Sequence, residues 1–593
     1  MLKIAKYLKP FIPLFILGVM ILILQAFCDL TLPNLMSHLV NSILMSKSAG
    51  SAVSASAEDS GILALGLRML GVALTGGAAA IGVSFLSNRI AAGLARDLRS
   101  AVFQKVETFS SNEIDAFSSA SLITRCTNDI TQVQTIFVNG IRIVGYAPLM
   151  GIGGAVMAWR KAPAMSWIII LAVIILIGLV GILISIIMPK FRFIQDMVDR
   201  LNRIARETMN GLMVIRAFGA QSYEQKRFDS VNSDLTGANL FVNRVMNIQM
   251  PGMQFIMNAA ILLIIWTGAR HISASTMQVG DMMAFIQYTI QIIFAFNLFS
   301  NMFVLLPRTE VSAQRIASVL ETDVSIKDPV SPQTPAFRTE PFSGNARGCT
   351  LEFKNVSFRY KGAVEDAVKD LCFTAEKGET TAIIGATGSG KTTIANLILR
   401  FYDVTGGSIA IDGIDIRELA QSDLRSMIGY VPQKSVLFSG SVAFNLRYGK
   451  PSASEGEVRE GAEIAQALDF IEGRPEGFNS ALAQGGANVS GGQKQRMAIA
   501  RALVRDPEIL IFDDSFSALD FATDSRLRSA LEAKRKGVTK IIVAQRVGTI
   551  MHAEKIIVLE HGRIAGMGTH AELMETCPEY REIAETQLSE AQS

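Results

Sequence analysis

Residues Gly385 to Thr393 read GATGSGKTT, and residues Asn488 to Arg496 read NVSGGQKQR. The first stretch follows the apolar, strand-like run Thr381–Ile384 and precedes the helix-like IANLILRF. Strand, glycine loop, helix is the context that G-x-x-x-x-G-K-[ST] needs in order to hold phosphate. Gly385, Gly388 and Gly390 let backbone N–H groups curl around phosphate oxygens, with Thr387 and Ser389 in the same loop, and the helix that follows turns its positive end toward the anion. Lys391 is expected to hold the β- and γ-phosphates of ATP and Thr392 to offer its hydroxyl to Mg²⁺, with Thr393 beside it as a further nucleotide contact. Farther on, Ile509–Asp514 reads ILIFDD, an apolar strand that delivers Asp513 to the same metal. The expected fold of this part is an α/β P-loop NTPase cassette.

The second stretch narrows the class. Val489–Gln493 resembles the LSGGQ signature of the ATP-binding cassette (ABC) transporters, with valine for leucine. Other positions follow in the family's order. Tyr360 resembles the aromatic that stacks on adenine, Gln433 the glutamine that bridges nucleotide, metal and membrane domain, and Ser517–Asp520 (SALD) the loop that crosses the dimer interface. Ser490, Gly491, Gly492 and Gln493 open a helix, so their N–H groups and its dipole suit a γ-phosphate. The resemblance implies that two cassettes pair head to tail, each ATP lying between one chain's P-loop and the other's signature. One copy of this chain has one cassette, so a second half-transporter is expected as its partner.

The first 306 residues supply the setting. Hydrophobic residues make up 49% of the 593 and the mean hydropathy is +0.33, high for a soluble chain. Apolar stretches near 11–27, 62–86, 138–158, 166–188, 253–268 and 282–306 suit a hydrocarbon layer of about 30 Å. The expectation is a membrane α-helical domain of six transmembrane helices with the ABC exporter fold. Nine Lys/Arg between 189 and 245, and Lys3, Lys6 and Lys9 before the first span, put both termini and the cassette in the cytoplasm, against Lys47 alone in the loop 46–60. Arg160, Lys161 and Arg270 fall on the outer side without reversing that count. The first span has no small-residue cleavage site and is read as retained. The expected location is a bacterial inner membrane.

Leu122–Ile130 (LITRCTNDI) and Glu207–Phe218 (ETMNGLMVIRAF) resemble the first and second intracellular loops of the exporter branch. Each is expected to end in a short coupling helix lying across a cassette. The Pro/Ser/Thr-rich run 326–350 reads as a linker, which divides the chain into a membrane domain 1–325 and a nucleotide-binding domain 351–593. Five scattered cysteines show no disulfide or zinc spacing, and a net charge of +3 gives no reason to expect nucleic acid.

Two positions depart from the family. Hydrolysing cassettes carry glutamate after the magnesium aspartate, to polarise the attacking water, and here the residue is Asp514. The missing methylene withdraws the carboxylate by about 1.5 Å, enough to take a general base out of hydrogen-bond reach. In IIVAQRVGTI, Gln545 stands where the switch histidine is usual; it still donates a hydrogen bond but carries no charge. The signature is intact. The pattern is similar to the degenerate-site subunits of heterodimeric bacterial multidrug exporters. It implies a slow, ATP-retaining site of its own formed by Lys391, Asp513 and Asp514, with Asp514, Gln545 and Gln433 as the catalytic candidates, and a partner that supplies the missing glutamate and histidine and carries a damaged signature. A homodimeric exporter, an exporter-fold importer of metal chelates and a nucleotide-gated channel share these motifs.

Substrate candidates lie in the membrane half. Met250, Met253, Met257, Met282, Met283 and Met302, with nearby phenylalanines and amides, read either as core packing or as an adaptable surface for hydrophobic drugs or lipids. Asp29, a strong acid near the end of the first span, is a functional candidate.

Overall fold

The computed structural model describes residues 4–48, 55–333 and 348–592. The chain forms two compact units, Met1–Glu107 with Ala120–Thr322, and Thr108–Ser119 with Asp323–Ser593. Part of the expected linker, 334–347, lies outside the described residues.

The first unit is helical. Among the described residues, six of its helical stretches are long and apolar enough to cross a membrane. They are built from α1 (Ile12–Ser48) and α2 (Ala55–Glu107), then, beyond the short helix α3 (Ser111–Phe117) of the second unit, from α4 (Ser119–Thr124), α5 (Ile130–Gly140), α6 (Ala147–Lys161) and α7 (Ser166–Asn210). After α8 (Leu212–Ala217) come α9 (Gln221–Asn247), α10 (Gln249–Ser273) and α11 (Val279–Glu321). The helices outrun the apolar stretches. α7 continues 22 residues past Met188 into charged sequence, since polar residues spaced for a helix keep its backbone hydrogen bonds outside the hydrocarbon. The third span is not one regular helix, because Ile141–Tyr146 forms a π-helical segment between α5 and α6.

Small residues let these helices close. A Cβ on Gly153 would stand 2.4 Å from Leu30 Cδ1, and one on Gly280 would stand 2.3 Å from the Ser37 carbonyl oxygen. At the latter crossing Asp281 accepts from Lys161 at 2.8 Å and from Ser37 at 2.7 Å, so α1, α6 and α11 share one ion pair. At the other end of α11, Arg125 donates to the Arg315 carbonyl and the Ser318 hydroxyl, and the buried Asp129 accepts from Ser312 at 2.9 Å. Leu122–Ile130 therefore ties helices together, and the short helix α3 comes before it, not at its end as the sequence reading expected.

Among the described residues the second unit holds three sheets, the smallest a short antiparallel pair of β7 (Gly440–Ser441) with β8 (Ala481–Leu482). Strands β1 (Leu351–Phe358), β2 (Val368–Ala375), β4 (Gly406–Ile411) and β5 (Ile414–Asp415) pair antiparallel in the order β2-β1-β4-β5, with Phe353 and Phe373 stacked 4.3 Å apart across one rung. The larger sheet runs β12-β11-β3-β10-β9-β6, from β3 (Thr380–Gly385), β6 (Ile428–Val431), β9 (Ile509–Asp513), β10 (Thr539–Val543), β11 (Lys555–Glu560) and β12 (Arg563–Gly568). All its pairs are parallel except β11 with β12. β9 and β10 are buried at every position, as strands covered on both faces must be. The segment 326–333 packs on this unit, where Arg400 donates to the Lys327 carbonyl and Gln421 to Asp328. Within the same unit, Tyr402 donates to Asp115 of α3 at 2.8 Å.

Candidate functional site

Four neighbouring parallel strands, β3, β10, β9 and β6, end at one edge of the large sheet. Their carboxyl ends lead into the glycine loop, Gln545, Asp513 with Asp514, and Gln433. In open α/β sheets this edge is where ligands bind.

The loop's glycines are required by their surroundings. Gly390 has φ +98°, and a Cβ there would lie 2.6 Å from the Ala367 carbonyl oxygen; Gly388 has φ +85° with open space around it. A Cβ on Gly385 would lie 2.1 Å from the Leu559 carbonyl oxygen. Alanine at Gly390 is therefore expected to destabilise the cassette by about 2 kcal/mol or more, and alanine at Gly388 by the smaller cost of backbone strain alone. Thermal unfolding of the purified full chain tests this ranking, which is wrong if Gly390→Ala unfolds no earlier than Gly388→Ala.

Lys391 opens the helix Lys391–Ile398 and is nearly buried, with its ammonium donating to the carbonyls of Gly385 and Ala386 at 2.7 Å each. Burial lowers its pKa, and the charges of Asp514 and Asp513 oppose that shift. Thr392 donates to Asp513 at 3.2 Å, and Tyr430, which the sequence reading missed, points its hydroxyl at the other oxygen at 3.5 Å. Burial raises the Asp513 pKa. A buried carboxylate beside a threonine hydroxyl matches the oxygen-donor chemistry of a hard divalent cation. The Tyr360 hydroxyl lies 3.1 Å from that of Thr393, and its ring meets those of Phe358 and Tyr402 edge-on.

The geometry around Asp514 is the most informative. Its backbone is left-handed (φ +47°), a conformation aspartate carries more readily than most side chains. Gln433 and Gln545 both donate to the same oxygen, Oδ2, at 3.1 and 2.9 Å. Each glutamine is held in turn. Gln587 on the C-terminal helix donates to the Gln545 carbonyl and accepts from the Val547 amide, while Gln495 donates to the carbonyl of Pro432, next to Gln433, and accepts from Ser435. Gln495 lies in the quoted Asn488–Arg496 stretch but carries no expected role there, and Gln587 belongs to no local motif.

Ser490 caps the helix Gly491–Val504 in a reciprocal box. Its hydroxyl accepts from the Gln493 amide, and its own N–H donates to Gln493 Oε1 at 3.0 Å. Ser490 and Gly491 are exposed, Gly492 and Gln493 half-buried. The Gln493 side chain, expected from the sequence to face nucleotide, is used here by the cap. Asp520 likewise caps Phe521–Lys534.

Known proteins match this arrangement over its whole length. The ABC transporter transmembrane region profile matches residues 15–296 and the ABC transporter profile residues 368–517. An uncharacterized ABC transporter ATP-binding protein of Mycobacterium tuberculosis is 37% identical over 98% of this chain and 97% of its own. The chain belongs to the ABC transporter family. Its exporter branch is marked by an ATP-dependent lipid A-core flippase of Hahella chejuensis, 30% identical over 99% of this chain and 97% of that protein. A solved bacterial Atm1-family ABC exporter with ATP bound has the same fold, with a TM-score of 0.78 and 25% identity over 96% of this chain and 97% of that one. One set of six membrane helices and one cassette make this ABC exporter a half-transporter, a multi-pass integral membrane protein with an ATPase domain.

Proposed function

We propose that this chain is the ATP-retaining subunit of an asymmetric, heterodimeric exporter of hydrophobic or amphipathic molecules, drugs or lipids, out of the cytoplasm or inner leaflet of a bacterial inner membrane. The observation that carries this reading is the Asp514 carboxylate, one methylene short and engaged on one oxygen by two glutamine amides. A general base must reach the attacking water, and a carboxylate withdrawn and held in this way leaves ATP bound and slowly cleaved. Thr392 and Asp513, with Gln433 beside them, would hold Mg²⁺, which supplies charge neutralisation between the phosphates. The exposed Ser490 and Gly491, with the half-buried Gly492, would complete the partner's site.

α8 supports a partner. It exposes Met213 (79%) and Val214 (60%), with Phe218 (82%) just beyond it, an apolar group that another polypeptide would cover. The relative named as a lipid A-core flippase supports a lipid-like substrate. In operation, ATP binding closes the paired cassettes and that preference for the closed state drives the membrane helices from inward- to outward-facing.

The test is to purify the tagged chain from its native membrane in mild detergent and identify what copurifies at equal stoichiometry. The expected partner is a second six-helix cassette chain with glutamate after its magnesium aspartate, histidine in its switch and a damaged signature. A pure homodimer with rapid exchange of nucleotide at both sites overturns the reading.

A further inference from the structure

The membrane unit contains a cavity of about 550 Å³ lined by α1, α2, the π-helical segment, α6 and α11. That volume suits a drug-sized molecule. Its walls are mostly apolar, with Met36, Met69 and Phe294 among them, and among the described residues Asp29 is the only charged side chain in the lining. Asp29 Oδ2 accepts from the Tyr146 hydroxyl at 2.7 Å, and among the described residues no lysine or arginine pairs with it. The nearby Asp281 is different, because Lys161 already neutralises it.

Gln291 also lines the cavity. Its Nε2 is spent on the Asp29 backbone carbonyl at 3.1 Å, while its Oε1 is buried with no partner in the protein. A buried amide oxygen without a donor is costly, as is a carboxylate among apolar helices without a cation. Both deficits are acceptors. A ligand bearing positive charge and N–H donors would pair with Asp29 and, once the Gln291 amide turns to bring its oxygen to the cavity, satisfy both, whereas an anion or a neutral acceptor would satisfy neither.

We propose that this cavity is a binding site for a protonated primary or secondary amine carried on an apolar body, with the ammonium shared between Asp29 and the Gln291 oxygen and the body against Met36, Met69 and Phe294. The inference rests on the exporter reading for its purpose and names the substrate class. With no cation in the lining to receive a phosphate, a free amphipathic amine fits better than a zwitterionic aminophospholipid.

The experiment measures binding without nucleotide, so its outcome is independent of how the ATP sites divide their work. The full chain, with whatever partner copurifies, is placed in phosphatidylcholine nanodiscs and titrated with a fluorescent naphthylalkyl amine and its N-acetyl derivative, the latter correcting for partition into lipid. The amine is expected to bind at least about tenfold more tightly than the acetamide. Asp29→Asn should remove that preference, Asp29→Glu retain it and Gln291→Glu increase it. A trimethylammonium analogue, charged but without N–H donors, should bind more weakly than the amine. Equal binding of amine and acetamide by the unaltered chain, or an undiminished preference in Asp29→Asn, overturns the site. Equal binding of the trimethylammonium analogue overturns the role of Gln291, and displacement of the amine by added phosphatidylethanolamine overturns the choice of a free amine over a lipid.

Discussion

Asp514→Glu is expected to raise ATP cleavage at this chain's own site by about tenfold or more, since displacements of about 1 Å at a reacting centre change rates by that order. The added methylene moves the carboxylate out past the Oδ2 position where Gln433 and Gln545 now meet it, toward the place an attacking water must occupy. The left-handed backbone at this residue works against the change, because glutamate adopts φ +47° less readily than aspartate, so a slight loss of stability should accompany the gain in rate. Single-turnover hydrolysis, in an assembly whose other site has lost its catalytic carboxylate, isolates the effect. An unchanged rate would show that Asp514 does not limit this site. Adding Gln545→His should raise the rate further, since a cationic switch residue at that position can stabilise charge that an amide cannot.

The second large effect is expected from the signature. Gly491→Asp introduces a side chain whose Cβ would meet nothing within 4 Å in this chain, at the first position of a 14-residue helix. An acidic residue there favours the helix, so the chain should fold as before. A γ-phosphate presented by a partner's P-loop would instead meet a negative charge where it needs donors. Loss of one donor to a developing anion costs about a hundredfold or more in rate, and steady-state ATPase of the assembled pump should fall at least that far. ATP held by Lys391 in this chain should be retained, because the substituted helix serves the other site. If the two sites lose ATP binding together, or neither changes, the proposed division of labour between P-loop and signature is wrong.

The two variants probe different links in one chain of causes. Asp514→Glu repairs chemistry in a site that already binds, whereas Gly491→Asp removes binding contacts from a site whose chemistry belongs elsewhere. A symmetric pump would respond to both in the same compartment, and the asymmetric one separates them.

Local pattern alone was enough to read the family, the strand–loop–helix that cradles phosphate and the six membrane spans. Each depends on short-range rules: glycines at positive φ, a serine that caps a helix three residues before its glutamine, and apolar runs set by the thickness of hydrocarbon. It also showed the substitution at Asp514, since a motif makes its own departures visible. What that substitution touches follows from folding. The strand order β3-β10-β9-β6 interleaves segments far apart in the chain and brings Gln433 and Gln545 to the same oxygen of Asp514. Tyr430 and Gln587, outside every motif, and Gln495, inside the signature stretch but with no role assigned from it, join the site by the same long-range closure. The placement of α3 in the second unit and the meeting of Asp29 and Gln291 in the lining of one cavity depend likewise on which helices meet. Periodicity along a chain says which face of a helix is apolar; only packing between chain segments says which polar atoms on that face are left without a partner.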